Sequence, residues 1–289
     1  MKTVVWLECV DGQPTRHARE AYALAIAAAE DAAHDVVAVQ VASDGWIVEA
    51  AADALAQYMV ESGAACLLLP STVDGNDVAG RVAVRLSAGV VTQVVSMNAD
   101  RSFEKLVFGD TIKTSVTAAG SVVVATVRAG VVAAFDGDID VQTVVGASAR
   151  VALVSAQPRT KSARPAVESA AIVVAAGRGV GDDQGFAQVT ELADVLGAAI
   201  SGSRPATDAG WIEPAQQVGQ TGKTISPDLY VAVGISGAIQ HVAGMRSSRT
   251  IVAINTDAEA PIFDIADYGI VGDAGTVVPA LIDAVRGRK

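Results

Sequence analysis

Arg178, the pair Ser203-Arg204, the run from Gln216 to Lys223 and the segment from Gly234 to His241 are the places where residue type and spacing could do chemistry in this 289-residue chain. Gly177-Arg178-Gly179-Val180-Gly181 follows an apolar run, and Gly202-Ser203-Arg204-Pro205 follows another. Gln216-Gln217-Val218-Gly219-Gln220-Thr221-Gly222-Lys223 reads as a long polar loop, and Val233-Gly234-Ile235-Ser236-Gly237 leads into a helix-like segment bearing Gln240 and His241. Glycines after a strand let backbone N–H groups approach an anion closely, and a helix N-terminus adds partial positive charge. Residues 234–237 are therefore a candidate pyrophosphate cradle. Arg178 supplies a cation, and the amides and hydroxyl of the long loop can read the polar edge of a ring. Singly, each loop could be a turn with glycines and nothing more. The glycines at 177, 179 and 181 also depart from the dinucleotide fingerprint, because Asp182 stands where its third glycine belongs. That departure argues against a nicotinamide dehydrogenase. Together the four loops point to a large, phosphate-bearing ligand with an aromatic head.

Such loops need a sheet to carry them. Strand-like runs at 170–175, 199–202, 229–233 and 250–254 alternate with helix-like segments at 186–196 and 238–245. In open α/β sheets ligands gather at the carboxyl ends of the strands, where these loops fall. The first half shows the same alternation: strands at 3–8, 36–42 and 64–70, and helices at 16–30, 49–61 (closed by Gly63) and 77–88. This pattern predicts a doubly wound α/β domain. Residues 93–135 turn β-rich and read as additional strands, antiparallel pairing among them being allowed. Asp74-Gly75-Asn76-Asp77 reads as a turn and helix cap, and the first half offers no phosphate loop. The basic, proline-bracketed stretch 157–165 suits a linker. The expected organisation is a domain at 1–157, a linker at 158–165 and a second domain at 166–289.

Bulk properties exclude several classes. A formal net charge of −11 disfavours nucleic acid, and aromatics at 4% leave little for base stacking. The longest apolar runs, such as 67–69 and 122–125, are strand-sized and far short of the roughly 20 residues of a membrane-spanning helix. The start enters a strand pattern directly, without a basic leader, which reads as cytoplasmic or already processed. Cys9 and Cys66 lack metal-ligand spacing and read as small buried hydrophobes in a reducing compartment.

The run Leu229-Tyr230-Val231-Ala232-Val233-Gly234-Ile235-Ser236-Gly237-Ala238-Ile239-Gln240-His241-Val242-Ala243-Gly244-Met245 closely resembles the signature of electron transfer flavoprotein α subunits. Thr250 to Asn255, Glu259 to Phe263, Ala266 to Gly269 and Gln217 to Lys223 resemble the family as well. Upstream the likeness is looser, resting on Ala79 to Ala83 and Thr126-Val127-Arg128.

The resemblance implies an N-terminal doubly wound, nucleotide-hydrolase-like α/β domain followed by a C-terminal Rossmann-like FAD-binding domain. It implies an electron carrier and not a substrate-transforming enzyme, with FAD in this chain. It further implies a heterodimer with a β subunit that carries AMP, and an N-terminal domain serving as scaffold and interface. Electrons would come from flavoprotein dehydrogenases, such as the acyl-CoA dehydrogenases of fatty acid β-oxidation, and pass to a membrane quinone oxidoreductase. A stand-alone FAD-binding module is the alternative. Carried over by position, Arg178 matches the family's Gly-Arg-Gly arginine, and Ser203 and Arg204 match a Ser-Arg pair beside the isoalloxazine ring. Gln217, Val218, Gly219, Gln220 and Thr221 match the segment against the flavin, with the Thr221 hydroxyl placed for N5. Ser236, Gly237, Ala238, Ile239, Gln240 and His241 match the segment meeting the phosphates and the pyrimidine side. Asn255, Asp273 and Ala274 match the adenosine end. His241 and Arg204 are the candidate cations favouring negative charge on the N1–C2=O side, although a helix start lowers a histidine pKa. Ala175-Ala176 replaces the Ser-Gly common in the family, so Ala175 has no polar role. Lys223 and Asp228 read as a solvated face and a turn.

Overall fold

A computed structural model describes residues 2–30, 35–42, 47–108, 110–146, 151, 154–155 and 164–288. The chain divides into two compact units, Met1–Pro158 and Arg159–Lys289. The expected linker at 158–165 lies outside the described residues apart from 164 and 165.

The first unit begins with β1 (Lys2–Trp6), a short hairpin of β2 (Cys9–Val10) and β3 (Gln13–Pro14), and α1 (Arg16–Glu30). It continues through β4 (Asp35–Ala42), α2 (Val48–Ser62), β5 (Cys66–Pro70) and α3 (Val73–Leu86). It ends with β6 (Gly89–Met97), β7 (Ser102–Val107), β8 (Ile112–Thr117), β9 (Val123–Val127) and β10 (Val141–Val145). These strands form an eight-stranded sheet in the order β10-β4-β1-β5-β9-β6-β7-β8. Every residue of β5 is buried, as a strand covered on both faces must be. Cys66 and Leu68 pack with Ala18, Ala21, Leu24 and Ala25 of α1, while Leu67 and Leu69 pack with α2 and α3 on the opposite face. The two-residue strand period and the α1 alanine spacing thus meet in one core. On the outer side, Arg85 ties α3 to α2 through Asp53 at 2.5 Å and Glu49 at 2.6 Å, and Arg81 joins the same Glu49.

Three expectations for this unit change. Helix α3 starts at Val73 and not at 77, because the Thr72 hydroxyl caps it, accepting from Gly75 N at 2.9 Å. The sequence 74–77 therefore lies inside the first turns of the helix. Strand β9 enters the middle of the sheet in parallel with β5 and β6, and among the described strands of this eight-stranded sheet antiparallel pairing is confined to β6–β7 and β7–β8. Strand β10, beyond the expected β-rich region, pairs parallel to β4 at the edge.

The second unit comprises β11 (Ile172–Ala176), α4 (Asp183–Leu196), β12 (Ala199–Gly202), α5 (Arg204–Asp208), β13 (Leu229–Val233), α6 (Ile239–Met245), β14 (Ile251–Asn255), β15 (Tyr268–Val271) and α7 (Ala274–Arg286). Its five strands are all parallel, in the order β12-β11-β13-β14-β15. Val174, Val231 and Val233 pack beneath α4 and α7, whereas Val173, Tyr230 and Ala232 face Met245 of α6 and Ile262. Helix α7 buries Ala274, Val278 and Ile282, four residues apart, along one stripe. The strand order reverses at β11, which has β12 on one side and β13 on the other. That reversal is where an open α/β sheet leaves a crevice.

Candidate functional site at the carboxyl edge of the second sheet

Beyond the carboxyl ends of β11, β12 and β13 lies a cleft of about 590 Å³, within the size range of cofactor pockets. Its wall includes Arg178, Ser203, Arg204, Gln217, Val218, Gly219, Gln220, Thr221, Ser236, Ala238, Gln240, His241 and Asn255, all expected from the sequence. Gly179, Pro205, Gly234 and Ile235 also line it; all four lie in the loops singled out, Gly234 and Ile235 within the expected pyrophosphate cradle, although none was matched individually to a family position. Gly237, Ile239, Asp273 and Ala274 do not line the cleft. Asp273 is the N-cap residue of α7, and the preceding Gly272 N donates to the Asn255 carbonyl at 2.9 Å, so this pair adjoins the Asn255 end.

The loops after β11 and β13 are built on each other. Gly179 N donates to Gly234 O at 2.9 Å, and Gly234 has a φ of 64°. A Cβ on Gly234 would meet Gly179 C at 2.5 Å and Val180 N at 2.6 Å. The requirement for glycine there is a close backbone crossing, over and above any approach to an anion. Asp182, which breaks the dinucleotide fingerprint, caps α4 by accepting from Gly185 N at 2.9 Å.

The long loop is anchored on both flanks. Val218 N donates to Gly202 O at 3.0 Å, and Gln220 N donates to Gln240 O at 2.7 Å. Gly244 of α6 lies so close that a Cβ on it would meet Gly219 N at 2.4 Å. Gln217 Nε2 donates to Thr221 Oγ1 at 3.1 Å, which leaves the threonine proton free to donate elsewhere. Lys223, expected on a solvated face, is half-buried and paired with Glu168.

The donor set suits an anionic, polar-edged ligand. Among the described residues no acceptor takes up the backbone N–H of Ser236, Gly237, Ala238, Ile239 or Gln240. Exposed Arg178 has no ion-pair partner among the described residues. Arg204 has only the distant Asp208 at 3.7 Å, with both side chains largely in solvent. His241 differs from the expected cation. It is 7% exposed, its Nε2 lies 2.8 Å from the Tyr230 hydroxyl, and burial lowers its pKa to about 4. The imidazole is neutral at physiological pH, so the positive charge at the cleft comes from the two arginines. No described group of His, Cys, Asp and Glu could hold a metal ion. Burial pushes the Cys66 thiol up to about 12, in keeping with an inert core residue. No described helix is long and apolar enough to cross a membrane.

Comparison with known proteins adds independent information. A family model described as the electron transfer flavoprotein FAD-binding domain matches residues 166–246, and one described as the electron transfer flavoprotein domain matches residues 15–175. An electron transfer flavoprotein subunit alpha of Mycobacterium leprae is 42% identical over 263 residues, covering 89% of this chain and 83% of that protein. The corresponding subunit of Mycobacterium tuberculosis is 44% identical over 251 residues, covering 85% and 79%. That of Paracoccus denitrificans is 44% identical over 266 residues, covering 90% and 86%.

Proposed function

This chain belongs to the family of electron transfer flavoprotein α subunits, and on that premise we propose that it holds FAD in the cleft at the β11–β13 switch point and relays electrons between flavoproteins. The reading is carried by one observation: four loops converge there with two weakly countered arginines, and the lining residues Ser236, Ala238 and Gln240 have backbone N–H groups that no described residue takes up. When bound, FAD supplies the redox chemistry, including transfer of single electrons.

Every other role falls to the chain itself. Ser236, Ala238 and Gln240 present backbone donors to the phosphates, as a loop entering a helix does. Arg178 and Arg204 offset negative charge on the ligand, more effectively where the partner subunit excludes water. The Thr221 hydroxyl, oriented by Gln217, donates to a ring nitrogen such as N5. Asn255 is held by its own bond from Nδ2 to Ile235 O at 2.9 Å, and with Asp273 and Ala274 it faces the adenosine part.

The first unit, up to about residue 157, acts as scaffold and interface for a β subunit that carries AMP, and residues 166–289 form the flavin domain. Electrons come from dehydrogenases such as those acting on acyl-CoA and leave to a membrane quinone oxidoreductase, with the heterodimer itself in the bacterial cytoplasm. The test is co-expression with a β-type subunit, followed by an absorbance spectrum and a reductive titration of the purified complex. A yellow heterodimer reduced by a flavoprotein dehydrogenase is expected. Yellow α chain that never associates with β would favour a stand-alone FAD module, and a colourless complex would rule out the cofactor.

A further inference from the structure

The short lead-in to β11 is fixed within the second unit and reaches the loop that walls the cleft. Residues 166–170 make one turn, with Ser169 N and Ala170 N donating to Ala166 O at 3.1 and 3.0 Å. Val167 and Ala170 are buried in the same apolar cluster as Val218 and Ile225. Arg164 adds a two-point ion pair with Asp194 of α4, at 2.6 and 2.9 Å. Glu168 stands on the outer side of the turn, and its carboxylate pairs with Lys223.

Lys223 is where the cleft loop closes on itself. Its N–H donates to Gln217 O at 2.8 Å, its carbonyl accepts from Gly219 N at 3.1 Å, and Gly222 N donates to Gly219 O at 3.0 Å. Gln217 to Thr221 all line the cleft, whereas Lys223 does not, so it acts on a ligand through the loop. Gly219 and Gly222 give that loop little stiffness of its own. The bonds from Val218 N to Gly202 O and from Gln220 N to Gln240 O hold its first half. The closing end is held by Ile225 N, which donates to Gly244 O at 2.8 Å, and by the Glu168–Lys223 pair. The Lys223 side chain is 26% exposed and that of Glu168 46%, so the pair is partly shielded yet modest in energy. It can restrain a loop without being needed for the fold.

We infer that Glu168 and Lys223 are positioning residues: their ion pair ties the closing end of the 217–223 loop to the lead-in of β11 and so fixes where Gln220 and Thr221 stand on the cleft wall. The inference rests on the reading that FAD occupies this cleft, and it has a signature that simple charge does not share. Acting on the anionic ligand by Coulomb force alone, loss of the cation would loosen FAD and loss of the acid would tighten it. Acting by placement of the loop, either loss loosens FAD, and losing both is no worse than losing one.

The test is FAD release from the co-purified heterodimer, followed by flavin fluorescence after dilution, for wild type, Lys223→Met, Glu168→Gln and the double variant. Each single variant is expected to release FAD about two- to five-fold faster. The visible circular dichroism of the bound flavin should change in both, and the double variant should match Lys223→Met. Hydrogen exchange of the 219–223 amides, measured on the same samples, should quicken in both single variants. Slower release from Glu168→Gln, a double variant at the product of the two single effects, or release and exchange at the wild-type rate would each overturn the inference. A colourless wild-type heterodimer would instead count against FAD in the cleft. Loop exchange then decides the role of the pair by itself, and unchanged exchange in the variants would overturn it.

Discussion

Each unit has a reversal of strand order, and the two reversals carry opposite chemistry. In the first unit β1 lies between β4 and β5, and the residue two beyond β1 is an acid, Glu8. Its carboxylate accepts from Thr72 Oγ1 at 2.8 Å and Thr15 Oγ1 at 3.3 Å, while Thr72 also caps α3. The hydroxyls are used by the protein itself, and the net contribution is negative. In the second unit β11 lies between β12 and β13, and the matching loops bring glycines, Arg178, Arg204 and open N–H groups. Parallel α/β topology provides the crevice in both; the loop residues decide whether an anion can enter it.

The sharpest way to break this contrast is to fill the crossing beneath the second crevice. Gly234→Val combines a left-handed backbone with contact against Gly179 and should cost about 3 kcal/mol or more. Thermal unfolding should move sharply down and the purified complex should lose its flavin; retention of both would show that the crossing does not shape the cleft. The counterpart in the first unit is milder. Thr72→Val removes the α3 cap and the donor to Glu8, costing about 1–2 kcal/mol, yet flavin content should stay at the wild-type level. A colourless Thr72→Val complex would place the ligand at the wrong reversal.

Glu8 offers a pH test of the same contrast. Burial, with a smaller push from Asp74, raises its pKa above the usual carboxylate value, so the folded state holds the proton more tightly than the unfolded one. The stabilisation is fully present below the ordinary carboxylate pKa and is lost as pH rises through the raised one. Glu8→Gln should flatten that fall in a series of melting curves. An identical slope in both proteins would mean that Glu8 is no more easily protonated in the fold than outside it.

Substitutions on the cleft wall should be quieter still for stability. Arg204→Lys lies on an exposed side chain and should change stability by no more than about 0.5 kcal/mol, but it loses the planar donor fork. A lower flavin reduction potential is expected, and an unchanged reductive titration would remove Arg204 from any tuning role. Thr221→Val keeps the shape and deletes the hydroxyl that Gln217 orients; a small shift in redox titration or holoprotein melting is expected. Coincidence of both with wild type would leave Thr221 as loop structure only.

Much of this was legible because local pattern and tertiary role agree. Helix α1 begins and ends where its buried alanine spacing does, and β12 and β13 match their apolar runs residue for residue. The start of α3 was hidden because Gly75 and Asn76 look like a turn, whereas the Thr72 cap and the packing of Val78 and Val82 hold them helical. Helix α7 was missed although Val278 and Ile282 carry a helical stripe; Pro279 between them reads as a breaker until it is seen inside the helix. Four polar loops were visible as such, and twelve of their expected residues, with Asn255 from the end of β14, line one cleft. The neutral state of His241 was only half visible: the helix start argued for a lowered pKa, but the burial that lowers it comes from tertiary packing around the ring. The crossing of Gly234 over Gly179 was hidden for the same reason.

The most direct test of the contrast is the flavin absorbance of the co-purified heterodimer in a paired comparison. Arg178→Glu with Arg204→Glu reverses the charge at the second crevice, and Glu8→Gln with Thr72→Val disarms the first. The former pair should give a folded, colourless complex and the latter a complex as yellow as wild type. A yellow arginine variant together with a colourless Glu8 and Thr72 variant would contradict placing FAD between β11 and β13.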